Sequence, residues 1–174
     1  MWLKLDLEGM IFKLKIEKYD SKKLDDDDWA KVSFSFKFGN IINYSESNAE
    51  LMQNQEINIL ESYLKRLLED KIKEKKTYNF IEPDFEMDFY PKMYSTDPNL
   101  IYIKPGTEVA DISMDLRVNL WSDGLTGNYF SMSFDREDIE KFYTYLLLVT
   151  NKIDKNDEKV QKLIEAGTLY GEEL

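Results

Sequence analysis

From residue 30 to 38, apolar and polar side chains alternate without a break. Ala30, Val32, Phe34, Phe36 and Phe38 are interleaved with Lys31, Ser33, Ser35 and Lys37. Successive side chains of a strand project to opposite faces, so this pattern buries one face and wets the other. The same period appears earlier, where Leu3, Leu5 and Leu7 alternate with Lys4 and Asp6, and Phe12, Leu14 and Ile16 with Lys13, Lys15 and Glu17. Glu8-Gly9 joins those two segments, and after Gly39-Asn40 residues 41–44 pair back on the third. Parallel neighbours need a crossover of about a dozen residues or more, so links this short imply antiparallel hairpins. Only the polar loop 20–28 is longer.

The period then changes to helical. Ile57, Leu60, Leu64, Leu67, Leu68 and Ile72 fall on one stripe, with Asn54 as N-cap, Glu56 in the first turn and Lys71, Lys73, Lys75 and Lys76 at the far end. Strands resume at 78–81, 85–89, 100–103, 112–120 and 130–134, with loops at 91–99 and 122–128 and a turn at Lys104-Pro105-Gly106-Thr107. Asp135, with Asp138 three residues on, caps a second helix whose stripe is Ile139, Phe142, Tyr143, Leu146, Leu147 and Thr150. A shorter helix over 157–166 carries Val160, Leu163 and Ile164 and stops at Gly167, leaving 168–174 as a loose tail. The fold expected is therefore α+β, a mainly antiparallel sheet in two strand blocks with two long amphipathic helices and a short C-terminal helix. At 174 residues it reads as one domain, with 154–174 peripheral.

Composition narrows the chemistry. The chain has no cysteine and no histidine. That excludes disulfides, thiolate metal sites, a cysteine nucleophile, Ser-His-Asp catalysis and histidine ligation. The segment 1–8 lacks the apolar core of a signal peptide, and no apolar run approaches the ~20 residues of a membrane span, so a cytoplasmic location is expected. The net charge of −11 opposes binding to a phosphate backbone, and a nucleic-acid partner is not expected. That charge is unevenly spread. Residues 1–76 carry 15 acidic and 14 basic side chains, whereas residues 77–138 carry 12 and 4. Outward-facing Glu86, Asp88, Asp111 and Asp115, with Glu82 and Asp84 beside them, would form one acidic face if those strands pair, and a protein partner would bind there.

No constellation calls for a metal, a cofactor or a catalytic residue. Asp25-Asp26-Asp27-Asp28 lacks the alternating ligands, the glycine and the closing glutamate of a calcium loop. Glu82, Glu86 and Asp88 contain the two carboxylates that a glycosidase would need, but their alternation with Phe85, Met87 and Phe89 is what any outer strand face shows. Tyr90, Tyr94, Trp121 and Tyr129 lie near strand ends or on outward positions, where they would be either interface anchors or ordinary sheet-edge aromatics.

The order of features resembles one family. An acidic loop ends in Asp27-Asp28-Trp29 before the strand over 32–38. A helix entry follows with Leu51, Met52 and Glu56, and then comes Tyr78-Asn79-Phe80-Ile81-Glu82-Pro83-Asp84-Phe85-Glu86. A long strand, a hairpin and the Asp-capped helix complete the likeness over roughly residues 3–150. This is similar to the WapI-type immunity proteins, small bacterial proteins associated with contact-dependent toxins. The resemblance implies a non-enzymatic binder of a cognate toxin domain, in which an acidic face would suit a basic toxin. Two other readings stand beside it: an acidic nucleic-acid mimic that inhibits a defence enzyme, and a carboxylate-based hydrolase.

Overall fold

The computed structural model describes residues 1–20, 22, 28–96, 102–121 and 123–171. Its first half forms a sheet from β1 (Trp2–Leu7), β2 (Met10–Glu17), β3 (Trp29–Phe38) and β4 (Ile42–Gln53), each antiparallel to the next. The expected alternation holds for Leu3, Leu5, Leu7, Phe12, Leu14, Ile16, Val32, Phe34 and Phe36, which are all buried, but Phe38, expected inside at the end of β3, is exposed, and Ser33, expected outside, is buried. β4 runs much further than the expected 41–44. Its polar middle, Ser45 to Asn48, hides the strand from a period-two reading, because two register shifts put extra residues opposite β3 and Asn48 takes a positive φ of 55°. The tail also differs from expectation. β11 (Leu169–Tyr170) pairs with β1 and buries Leu169, giving the order β11-β1-β2-β3-β4.

α1 (Asn54–Leu68) follows β4 directly. Its cap is Gln53 rather than Asn54: Gln53 and Glu56 form a reciprocal capping box in which the Gln53 N–H donates to Glu56 Oε2 at 2.9 Å. The helix ends at Leu68, so Ile72 and the lysines after it lie beyond its last turn, although Ile72 remains buried. β5 (Lys76–Asn79), β6 (Phe85–Tyr90), β9 (Ser113–Trp121) and β10 (Leu125–Phe134) build a second antiparallel sheet in the order β10-β9-β6-β5. Between β6 and β9 the chain makes a small antiparallel pair, β7 (Met93–Tyr94), inside the expected loop 91–99, with β8 (Glu108–Ala110), just after the expected turn. The expected strand 100–103 is not supported. Residues 100 and 101 lie outside the described residues, and Tyr102 and Ile103 are turn and bend. Residues 25–27 of the aspartate run are also outside them.

α2 (Arg136–Val149) starts at Asp135, whose carboxylate accepts the Asp138 N–H at 2.9 Å, and α3 (Glu158–Glu165) is capped by Asp157. The two sheets pack directly against each other. Their apolar faces meet: Phe34 packs on Phe85 with ring centroids 5.0 Å apart, Phe36 on Phe130 at 4.9 Å, and Phe12 on Phe134 at 5.8 Å. Further along the same strands the sheets are bridged by helices, Phe89 stacking on Tyr63 of α1 and Phe134 on Phe142 of α2. α1 and α2 pack on each other, and buried Glu61 of α1 ties them by accepting from Thr150 at 3.0 Å and Lys152 at 2.7 Å. Tyr145, absent from the expected stripe, is fully buried, and its hydroxyl accepts the Ile16 N–H at 2.7 Å. Among the described residues, no helix is long and apolar enough to cross a membrane.

If the aromatic seam joins the sheets, truncating it should cost far more than truncating a rim phenylalanine. Phe36→Ala is expected to lower unfolding stability by about 3–5 kcal/mol. Phe38→Ala, at a side chain 42% exposed, should cost under about 1 kcal/mol. Urea unfolding of the two variants makes the comparison, and equal losses would contradict the packing described.

Candidate functional site

The acidic residues singled out from the sequence fall on or beside the outer face of the second sheet. Because Phe85, Met87 and Phe89 point inward, Glu86 and Asp88 point outward, and the β6–β9 register sets Glu86 opposite Arg117 and Asp88 opposite Asp115. Continuing across the sheet gives one row of Ser133, Asp115, Asp88 and Thr77, and another of Ser131, Arg117, Glu86 and Asn79. Asp84 sits just before β6, where its carbonyl accepts the Asn119 N–H at 2.8 Å while Asn119 Nδ2 donates to the Pro83 carbonyl at 2.6 Å. Asp111 lies at the opposite end, two residues before β9. Eight residues of strand separate the levels of Asn119 and Asp111, roughly 25 Å, so the six carboxylates form an elongated band and not one compact patch.

Most of this band is neutralised internally. Glu86 forms an ion pair with Arg117, and the Arg117 guanidinium lies 4.6 Å from the Tyr129 ring centroid. Asp88 is buried. Lys75 Nζ approaches it to 2.8 Å and the Thr77 hydroxyl donates to it. Burial opposes ionisation of Asp88, but the hydrogen bonds from Lys75 and Thr77 outweigh it and hold the carboxyl below its ordinary range. Asp115 accepts from Ser133 at 2.6 Å and from the Tyr90 hydroxyl at 3.2 Å, and the same hydroxyl also reaches Asp88 at 3.3 Å. Asp111 takes a bidentate fork from Arg136, both contacts at 2.7 Å, and a hydrogen bond from the Ile112 N–H. The Arg136 bonds, with lesser help from the Ile112 amide, pull its pKa down to about 2.

Glu82 and Asp84 differ from these four. Among the described residues no ion pair reaches either of them, nor Glu46 on the edge strand β4, whose charge is felt at Asp84. Partial burial raises the Asp84 pKa, a hydrogen bond from the Trp121 side chain opposes that rise, and the Glu82 and Glu46 carboxylates add to it. Trp121 is 46% exposed and Tyr129 52%, so two large aromatic surfaces border an uncompensated carboxylate group. Tyr94 is also exposed, whereas Tyr90 is half-buried in the hydrogen-bonded row. Glu46 was not foreseen: it belongs to the first strand block and reaches this end only because the sheets stack, which no local pattern encodes.

Asp88 and Asp115 are cross-strand neighbours, and, against the opposition of burial, Lys75 and Thr77 hold the Asp88 carboxyl below its ordinary range. Among the described residues no group of acidic side chains is arranged to hold a metal ion.

The Asp111–Arg136 fork makes a pH prediction. Asp111 titrates near 2 when folded and near ~3.9 when unfolded, so between those values the unfolded chain binds more protons and stability falls as pH falls. Asp88 contributes in the same sense, and Asp84, raised by burial, in the opposite one. Thermal midpoints at pH 5, 3.5 and 2.5 should drop less steeply for Asp111→Asn than for the unaltered chain. Parallel drops would show that the fork carries none of the acid sensitivity.

The model of the Immunity protein WapI-like family matches residues 3–153, from β1 to the loop after α2, leaving α3 and β11 outside the match. No curated protein sequence matches the chain. A match over that much of the sequence is decisive, and the chain belongs to the WapI-like immunity protein family.

Proposed function

We propose that the chain is a non-enzymatic bacterial immunity protein that works in the cytoplasm, as one domain, by binding and neutralising a cognate toxin domain through its acidic surface. The observation that carries this reading is the group of carboxylates, Glu82, Asp84 and Glu46, that no ion pair reaches among the described residues, beside half-exposed Trp121 and Tyr129. Interface hot spots combine aromatic anchors with charges that the partner must match, and here the match is a lysine or arginine. Glu86, Asp88, Asp111 and Asp115 belong to the same surface in a different role. Already bonded to Arg117, Lys75, Arg136 and neighbouring hydroxyls, they present a pre-ordered rim that needs no rearrangement on binding. The excess negative charge of residues 77–138 steers a basic partner toward this side and repels nucleic acid and anionic membrane.

The toxin domain encoded beside this chain in its host supplies the test. Glu82→Lys with Glu46→Lys should weaken binding at least tenfold, chiefly through slower association, and should abolish protection of cells expressing that toxin. Asp84→Asn should weaken it less. Raising salt from 50 to 500 mM should slow association of the unaltered pair and flatten the difference. Full protection by the double variant would place the docking surface elsewhere.

A further inference from the structure

The two large sheets have four edges, and three of them are blunted. β11 is two residues long, β5 four, and β4 carries two bulges in its polar middle. β10 is different. Its one irregularity lies between Leu125 and Tyr129, and from Tyr129 to Phe134 it runs in regular register with β9.

The direction of its free groups follows from the ladder. The Asn119 N–H bonds toward the β6 side, to Asp84, so in β9 the residues Arg117, Asp115 and Ser113 also direct their backbone groups to β6. Val118, Leu116 and Met114 therefore bond to β10, through Phe130, Met132 and Phe134. That leaves the N–H and C=O groups of Tyr129, Ser131 and Ser133 facing away from the sheet, with no backbone partner among the described residues. All three residues are exposed.

This open edge is one wall of a groove of about 710 Å³. Its floor is apolar, made by Met10, Phe38 and Ile42 from the first sheet. Its rim is acidic: exposed Asp6, Glu8, Asp135 and Glu137 stand against a single ammonium, Lys141, already within 2.9 Å of Glu137 and 3.7 Å of the buried Asp138. Backbone groups on one side, an apolar floor and an acidic rim are what an extended basic segment requires: hydrogen bonds from the main chain, burial for alternate side chains, and charge matches for the others.

We infer that β10 is a strand-addition site, and that an extended lysine- or arginine-bearing segment of the toxin partner docks in this groove as a further strand of the second sheet. This rests on the reading of the chain as a toxin-binding protein and deepens it. The groove adjoins the outer face that bears Asp115 and Arg117, so one partner can cover the face and add a strand at its edge. A second copy of this chain is disfavoured as occupant, because it would bring a second acidic rim against the first.

The test uses the full chain and the purified toxin domain encoded beside it. Amide exchange at Ser131 and Ser133 should slow at least tenfold in the complex, a reading that needs no variant. Ser131→Pro removes an N–H that faces away from the β9 ladder, so it should leave the urea midpoint near that of the unaltered chain while weakening toxin binding at least tenfold. Glu8→Lys with Glu137→Lys should weaken binding comparably. Tight binding with unchanged exchange at both serines and no effect of Ser131→Pro would overturn the strand-addition site and leave the toxin-binding reading standing. A concentration-dependent dimer in the absence of toxin, abolished by Ser131→Pro, would assign the edge to a second copy and overturn the proposed occupant. Absence of any binding by the unaltered chain would overturn both readings together.

Discussion

The architecture depends on the aromatic seam between the two sheets. Phe12, Phe34 and Phe36 of the first sheet meet Phe134, Phe85 and Phe130 of the second, and each of these contacts requires its neighbours in sequence to point the other way. Burying Phe85, Met87 and Phe89 thus forces Glu86 and Asp88 outward, as burying Met114, Leu116 and Val118 does for Asp115 and Arg117. The charged face is a consequence of the core. Tyr63 and Phe142 from the two long helices continue the same seam, and buried Glu61 of α1 bonds to Thr150 and to exposed Lys152 just past α2.

Once the face is forced outward, strand register decides what it presents. Pairing Glu86 with Arg117 and aligning Asp88, Asp115, Thr77 and Ser133 in one row converts most of the band into a bonded network. Carboxylates that no ion pair reaches among the described residues remain where the network ends, at Glu82, Asp84 and Glu46, close to Trp121 and Tyr129. Electrostatic attraction acts over about a Debye length, ~8–10 Å at moderate salt, so unpaired terminal charges outweigh a larger number of paired ones in guiding encounter. Edge design points the same way: bulges and short strands close three sheet edges to adventitious pairing, and one regular edge stays open beside an acidic rim.

Much of this was legible in the sequence. Period-two runs located β1, β2, β3, β6, β9 and most of the inner residues of β10, and the Asp135 cap located the start of α2 to the residue. The failures have physical causes. β4 looks shorter in the sequence because its bulges break the period, and β11 leaves no local signal because a two-residue strand owes its existence to β1. Tyr145 lies off the i, i+3, i+4 stripe that contains Tyr143, and its burial depends on a distant partner, the Ile16 amide, that its hydroxyl meets. For the site, alternation correctly put Glu86, Asp88 and Asp115 on one face. It could not show that Arg117 and Lys75 neutralise two of them, nor that Glu46 arrives from the other sheet. Those facts belong to register and sheet stacking, which are long-range.

A non-enzymatic immunity protein acts by occupancy and not by turnover. Titrating the cognate toxin's activity with the purified chain tests it most directly. Activity should fall in proportion to the chain added, reach zero at one equivalent, and return in full when the complex is dissociated. Inactivation of many toxin molecules by one chain, or toxin that stays inactive after separation, would contradict it.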